Sequence, residues 1–308
     1  MSRTKTLVLI LGPTGVGKTE LSLRVAERLE CPIISCDSRQ IYRELPIGTA
    51  APTADEQARV RHYMVGTHSL TEDYNAGMFE RDVLALLDEL FREHEVVVMT
   101  GGSMLYIDAL CRGLDDIPAV PVDIRERVRR EYEAHGIEWL QMQVQQLDPD
   151  YWTIVDQQNP ARLTHCVELS LTTGRPYSEL RTGEKKERPF RILKIGLNRP
   201  REELYLRINR RVEQMMQDGL EEEARSVVAY RDRNSLQTVG YRELFAYFDG
   251  AYDRERAIEL IKQNTRHYAK RQLTWFRRDT DICWLEAGND YETNCNSIIE
   301  LLRPHGVQ

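Results

Sequence analysis

Apolar runs and helical stripes alternate along the first hundred residues. Thr6-Leu7-Val8-Leu9-Ile10-Leu11 is almost unbroken in its apolar character, the pattern of a strand buried on both faces of a parallel sheet. From Lys18 onward Leu21, Val25 and Leu29 recur at i, i+4 and i+8, one face of a helix. Ile33-Ile34-Ser35-Cys36 reads as a second short strand ending at Asp37-Ser38. Residues 82–93 form an amphipathic stretch that feeds a third strand, Val96-Val97-Val98-Met99. That strand runs into Thr100-Gly101-Gly102-Ser103 and a further helix. Strands alternating with helices predict parallel β-α-β units, with ligands at the carboxyl ends of the strands.

The pattern changes after Gly113. Asp115-Asp116-Ile117-Pro118-Ala119-Val120-Pro121 is a linker punctuated by proline, and charged helical sequence without strand signal follows from Asp123. Strand texture returns at Phe190-Arg191-Ile192-Leu193-Lys194-Ile195-Gly196-Leu197, and everything beyond reads as helix. The expectation is therefore an α/β core from 1–117 and 188–308, with helices making up its C-terminal part, interrupted by a helical insertion domain over 118–187. No internal repeat or low-complexity tract interrupts it.

Composition narrows the class without naming it. With 41% hydrophobic and 30% charged residues over 308 positions, the chain is that of an ordinary globular protein. No apolar run approaches the ~20 residues that span a bilayer. The six-residue run before Gly12, five of its positions apolar, falls short of a signal-peptide core of about 7–15, so no membrane association and a cytoplasmic location are expected. Six cysteines without a C-x-x-C pair read as free thiols; Cys283, Cys295 and His305 match no zinc module. A net charge of −7 excludes a uniformly basic nucleic-acid coat but leaves room for local basic patches.

The strongest chemical signal is Gly12-Pro13-Thr14-Gly15-Val16-Gly17-Lys18-Thr19. Its glycines let backbone N–H groups turn inward around phosphate oxygens at a helix N-terminus, Lys18 adds a point charge, and Thr19 offers a hydroxyl for Mg²⁺. The pattern is that of nucleotide-binding loops, ATP included, and with strand before and helix after it predicts a P-loop NTPase-like parallel sheet. Asp37 stands where the second strand delivers its last side chain into the same cleft, as a metal ligand, a general base or a turn cap. The third strand ends without the Asp that holds Mg²⁺ in many P-loop nucleotidases, which weakens nucleotide hydrolysis. Arg211 falls within about 20° of Leu204 on a helix whose apolar stripe is Leu204, Ile208, Val212 and Met215. An arginine on that inward arc needs an anion, either a carboxylate or a ligand phosphate. The segment from Lys262 to Arg278 carries six Lys/Arg and no acid, interleaved with Tyr268, Trp275 and Phe276. That composition suits RNA contact or a solvated helix face equally.

Taken together, these segments resemble the tRNA dimethylallyltransferase (tRNA isopentenyltransferase) family, in its bacterial form without a zinc finger. The resemblance rests on 12–19, Asp37-Ser38-Arg39-Gln40-Ile41-Tyr42, Ile47-Gly48-Thr49-Ala50 and Gly101-Gly102-Ser103-Met104-Leu105-Tyr106. It continues through Asn159-Pro160-Ala161-Arg162-Leu163, Val239-Gly240-Tyr241-Arg242-Glu243 and the basic-aromatic run, in the family's order from about residue 7 to 280. It implies transfer of a dimethylallyl group from dimethylallyl diphosphate to N6 of the adenosine 3′ to a tRNA anticodon, by a monomer. The loop 12–19 would then hold diphosphate rather than ATP, Arg211 and Thr14 would assist, and Asp37 would be the base. Asp37, Ser38, Arg39, Gln40, Ser103, Arg125 and Ala161, Arg162, Leu163, Thr164 and His165 would contact the tRNA anticodon loop. Ser103 stands where many members carry Thr, and the 115–121 linker is more acidic than the family leads one to expect. A small-molecule kinase using ATP, with Asp37 as base for a hydroxyl, and a non-catalytic P-loop RNA-binding protein are the rival readings.

Overall fold

The computed structural model describes residues 4–115, 117–288 and 290–303; Asp116 of the linker and His305 lie outside them. The chain divides into two compact units. One combines the N-terminal part up to Cys111 with everything from Arg188 on, and the other is Arg112–Glu187.

The larger unit is built on a six-stranded, wholly parallel sheet. Its strands are β1 (Thr6–Leu11), β2 (Ile33–Cys36), β3 (His62–Tyr63), β4 (Val96–Gly101), β5 (Arg191–Asn198) and β6 (Cys283–Glu286), in the spatial order β3-β2-β4-β1-β5-β6. The continuous apolar text of β1 is explained by its place: flanked by β4 and β5, it has Leu7 through Leu11 at 0% exposure. Each such side chain contributes on the order of 1.5–3 kcal/mol by leaving water. After β1 the chain skips a position to form β2, and β4 later fills the gap. The loop following β1 therefore opens at the point where the connections diverge.

Helices α1 (Lys18–Leu29), α2 (Ala54–Arg59), α3 (Ala76–Glu93) and α4 (Met104–Arg112) connect the first strands. After β5 come α9 (Arg201–Gln217), α10 (Leu220–Ser226), α11 (Tyr241–Phe248), α12 (Arg254–Phe276) and α13 (Tyr291–Leu302). One core gathers β1, β4 and β5 with Leu21 and Val25 of α1, Leu204 and Ile208 of α9, Ala269 of α12 and Ile298 of α13. A second packs Ile41, Tyr42 and Leu45 against Val212, Met215, Leu236, Tyr241, Leu244 and Ile261. The helix expected over 82–93 begins earlier, because Asn75 caps it by accepting from the Met78 N–H at 3.0 Å. The wholly helical C-terminal part is corrected by β6, an edge strand of four residues with a mostly half-buried pattern, too short and too weakly alternating to declare itself. The two-residue β3 was equally silent.

The regular elements of the smaller unit, among the described residues, are all helices: α5 (Val122–Leu147, two helical segments joined at Gly136), α6 (Pro149–Trp152), α7 (Pro160–Thr173) and α8 (Tyr177–Leu180). Val128, Leu140, Val144, Leu163, Cys166 and Val167 form its core. Asp148, fully buried, fastens two turns. Its Oδ1 accepts from the Tyr151 N–H at 2.9 Å and from Ser178 Oγ at 2.9 Å, and its Oδ2 from the Ser178 N–H at 2.6 Å. Three donors on one carboxylate offset the cost of burying it. No helix among the described residues is long and apolar enough to cross a membrane.

Candidate active site

The loop 12–17 leaves the carboxyl end of β1 and enters α1 through Gly17, which caps the helix with φ 112° and ψ 26°. Only glycine takes that conformation cheaply, and a side chain there would also press on the Tyr291 hydroxyl at 3.1 Å. The first N–H groups of α1 thus point out of the helix with no partner within it, the ordinary basis of anion binding. Lys18 donates from Nζ to the carbonyls of Gly12 and Pro13, both at 3.0 Å. Its pKa is pulled down to about 8, by burial first and by the neighbouring Arg211 second, with Asp37 pulling the other way.

Three arginines surround this loop, one just after β5 and two from α9. Arg199, 4% exposed, donates from Nε to the Val16 carbonyl at 3.2 Å and pairs with Glu203. Arg207 donates from Nε to the Gly15 carbonyl at 2.9 Å. Arg211, one turn on, donates from Nη2 to Thr14 Oγ1, while its Nε is shut off from solvent with no hydrogen-bond partner among the described residues. The inward orientation expected of Arg211 is what the helix provides, and Arg210 is exposed. Arg199 belongs to no motif in the sequence; its only signal is its place at the carboxyl end of β5, where a parallel sheet gathers its ligand-facing residues.

Asp37 follows β2 directly. Its Oδ1 accepts from the N–H groups of Arg39 at 2.9 Å and Gln40 at 3.4 Å, so it caps a turn; Oδ2 makes no hydrogen bond to a described residue. Ser103, 7% exposed, accepts the Ser38 N–H at 2.8 Å and donates to Ser38 Oγ at 3.2 Å, tying the ends of β2 and β4 together. Gln40 is spent internally. Its Nε2 donates to the carbonyls of Thr49 at 3.2 Å and Ala50 at 2.9 Å, and its Oε1 accepts from Ser35 at 2.8 Å.

Two cavities meet here. One, of about 870 Å³, is lined by Gly15, Gly17, Lys18, Thr19, Arg207 and Arg210 among others. The other, of about 350 Å³, is lined by Ser38, Arg39, Ser103, Val239, Tyr268 and Arg271 among others. Thr14, Asp37, Thr49, Arg211 and Met215 line both. Burial, with Asp37 next in weight, pushes the Tyr268 hydroxyl up to about 12, so it stays a donor at neutral pH. Such an arrangement offers cations and N–H donors on one side, a carboxylate at the junction, and an aromatic, basic wall on the other.

Of the basic run on α12, Lys262 is neutralised by Glu213 at 3.0 Å and Glu259 at 2.9 Å, and Arg266 donates to Asn209 at 2.7 Å. Lys270 and Arg271 are exposed and form no ion pair with a described residue. In the helical unit, Ala161, Arg162 and His165 are exposed on α7, as is Arg125 on α5. Arg125 lies in electrostatic reach of His165 and of Glu168, whose carboxyl is pushed up by burial and eased down by Arg125. His165 meets the Tyr177 ring edge-on with centroids 5.4 Å apart. Leu163 departs from expectation: it is fully buried in the core of that unit, so its side chain serves packing, a consequence of its place two turns before Ser170 on the inward face of α7.

A family model described as IPP transferase matches residues 40–279. Among curated proteins, the tRNA dimethylallyltransferase 1 of Bacteroides thetaiotaomicron is 55% identical over 97% of this chain and 95% of its own length. The tRNA dimethylallyltransferase 2 of Parabacteroides distasonis is 57% identical over 90% and 93%. The crystal structure of a tRNA isopentenylpyrophosphate transferase from Bacillus halodurans superposes with a TM-score of 0.70 at 34% identity, covering 97% of this chain and 95% of that one. A eukaryotic dimethylallyltransferase acting on tRNA, 23% identical, shares the fold with a TM-score of 0.80 over 99% and 82%.

Proposed function

The chain belongs to the IPP transferase family, and on that premise we infer that it transfers a dimethylallyl group from dimethylallyl diphosphate to N6 of the adenosine on the 3′ side of a tRNA anticodon. One observation carries the reading: Thr14, Asp37 and Arg211 are common to a cavity walled by a phosphate-binding loop and to a second walled by Arg39, Tyr268 and Arg271. A transfer between two substrates entering from different sides needs its reacting atoms at such a junction.

In this mechanism the diphosphate lies against 12–19, with Lys18, Thr19 and the first amides of α1 on its oxygens. The adenine, flipped out of the anticodon stack, enters through the smaller cavity. N6 is a weak nucleophile, and Asp37 takes its proton as the N6–C1 bond forms and the C1–O bond breaks. The charge that gathers on the departing diphosphate is met by Lys18, Arg211 and loop amides already in place. Thr14, which accepts from Arg211, holds that guanidinium toward the leaving oxygens. A Mg²⁺ ion fits the donor set only loosely. Thr19 and Asp37 line the larger cavity, and no cluster of three metal-binding side chains occurs among the described residues. The ion would be held by Thr19, substrate oxygens and water, as Mg²⁺ commonly is, and would neutralise diphosphate charge.

Ser38, Arg39, Gln40 and Ser103 in the larger unit, with Arg125, Ala161, Arg162, Leu163, Thr164 and His165 in a helical insertion domain, form the tRNA-contacting set of this proposal. Gln40 acts there by bracing the 46–51 loop, and Leu163 by fixing α7. The enzyme works as a cytoplasmic monomer. Mass spectrometry of unmodified tRNA incubated with the protein, Mg²⁺ and dimethylallyl diphosphate should show an adenosine heavier by one dimethylallyl group at the anticodon-adjacent position. An unchanged tRNA, with phosphate passed from ATP to an acceptor instead, would overturn it.

A further inference from the structure

Helix α12 presents Ile261, Thr265 and Tyr268 to the smaller cavity. Their spacing of four and then three residues marks one helical face, and the next residue on that face is Gln272. Its side chain does not reach the cavity; it turns into the protein, with 2% exposure. There Oε1 accepts the N–H of Thr14 at 2.9 Å, and Nε2 donates to the carbonyl of Gly102 at 2.8 Å. Both ends of the amide are therefore occupied, one by the P-loop and the other by the loop after β4. The fit is close enough to dictate its partner: a Cβ on residue 102 would come within 2.3 Å of Gln272 Nε2.

The two attachment points are both one step from the junction. Thr14 carries the hydroxyl that accepts from Arg211. Gly102 precedes Ser103, whose hydroxyl holds the Ser38 N–H at 2.8 Å, and Ser38 follows Asp37. One buried amide on α12 thus fixes the spacing between the diphosphate side and the base side. It does so from the helix that also carries Tyr268 and Arg271 into the smaller cavity.

We propose that Gln272 is a positioning residue that couples the two substrate cavities: an acceptor drawing on Tyr268 and Arg271 shifts α12, and Gln272 passes that shift to Thr14 and the P-loop. Prenyl diphosphate and tRNA then bind more tightly together than apart. The coupling is reciprocal, because it is one free energy shared by both ligands. This rests on the prenyl-transfer reading above.

The test uses the full-length protein, a non-transferable thiolodiphosphate analogue of dimethylallyl diphosphate, and a transcribed tRNA with adenosine 3′ to its anticodon. In the wild-type protein the analogue's Kd should fall about fivefold or more when tRNA is saturating. Gln272→Met keeps the length and packing of the side chain but makes neither hydrogen bond. It should reduce that ratio to below about twofold, with tRNA affinity measured alone changed far less. Gln272→Glu retains an acceptor for Thr14 N–H but opposes the Gly102 carbonyl, and should give an intermediate ratio. Thermal unfolding and tRNA binding by each variant report whether it is folded, so a misfolded Met variant leaves the Glu variant to decide. A wild-type ratio retained in both folded variants would overturn the proposal, as would a wild-type ratio of one. Absence of prenyl transfer by the wild-type protein would instead overturn the functional reading beneath it.

Discussion

At the scale of single residues the junction side chains have separable tasks. Asp37 offers one oxygen to its own turn and leaves the other uncommitted, which is what a base and a cap combined in one carboxylate require. Asp37→Asn keeps the acceptor for Arg39 and Gln40 N–H but cannot take a proton. Single-turnover rates with saturating tRNA should drop roughly 10²–10⁴-fold, with prenyl diphosphate affinity nearly intact. Unchanged turnover would reduce Asp37 to a cap. Lys18 supplies a pH signature. Its pKa of about 8 is below that of a free lysine because burial and Arg211 disfavour the ammonium. In the proposed mechanism that ammonium grips the diphosphate, so as pH rises through that value and the charge is lost, kcat/KM for dimethylallyl diphosphate should fall on an alkaline limb near pH 8. Stability takes the opposite sign: between the folded and unfolded pKa the native state binds fewer protons, so raising pH there relieves the penalty of burying the ammonium. Arg211→Gln should move the kinetic limb upward while lowering the plateau. A profile flat to pH 10 would remove Lys18 from the grip.

At the scale of elements, the ends of β1, β2, β4 and β5 converge because the sheet is parallel and its connections diverge around β1. The β2–β4 contact is unusually close: Gly101 pairs with Cys36, and a Cβ on residue 101 would meet the Cys36 carbonyl oxygen at 2.2 Å. No rotamer relieves a clash between backbone atoms, so the strands must separate. Gly101→Ala should cost about 1–3 kcal/mol or more, read from urea unfolding. Because the same pairing holds Ser38 and Ser103 together, activity should fall further than stability explains. A variant of wild-type stability and rate would show that the strands tolerate the spread.

For the whole molecule the interesting quantity is charge. The chain carries −7 overall, yet α12 exposes Lys270 and Arg271 without acidic partners among the described residues. Binding of a polyanion by a net-negative protein must rely on such patches, and it should weaken steeply with salt as counterions return. Lys270→Ala with Arg271→Ala should reduce tRNA affinity and lower the slope of log K against log salt by up to about two. An unchanged slope would assign both side chains to a solvated face.

What the sequence determined by itself is local. Five of the six positions in β1 form an uninterrupted apolar run because a central parallel strand is buried on both faces, and the Gly-rich loop declares itself because positive φ and an exposed helix N-terminus demand those residues. Asp37 was legible from its place at a strand end, and Arg211 from a helical angle. Arg199, β6 and the double grip of Gln272 were not. A short edge strand has too few residues for a period to show. The tasks of Arg199 and Gln272 depend on partners 183 and 170 or more residues away, distances over which only packing decides. Inside the basic run the residues look alike in sequence. The fold alone sorts them, burying Gln272 under the P-loop, pairing Lys262 and Arg266, and leaving Lys270 and Arg271 in water, because each turn of α12 meets a different neighbour.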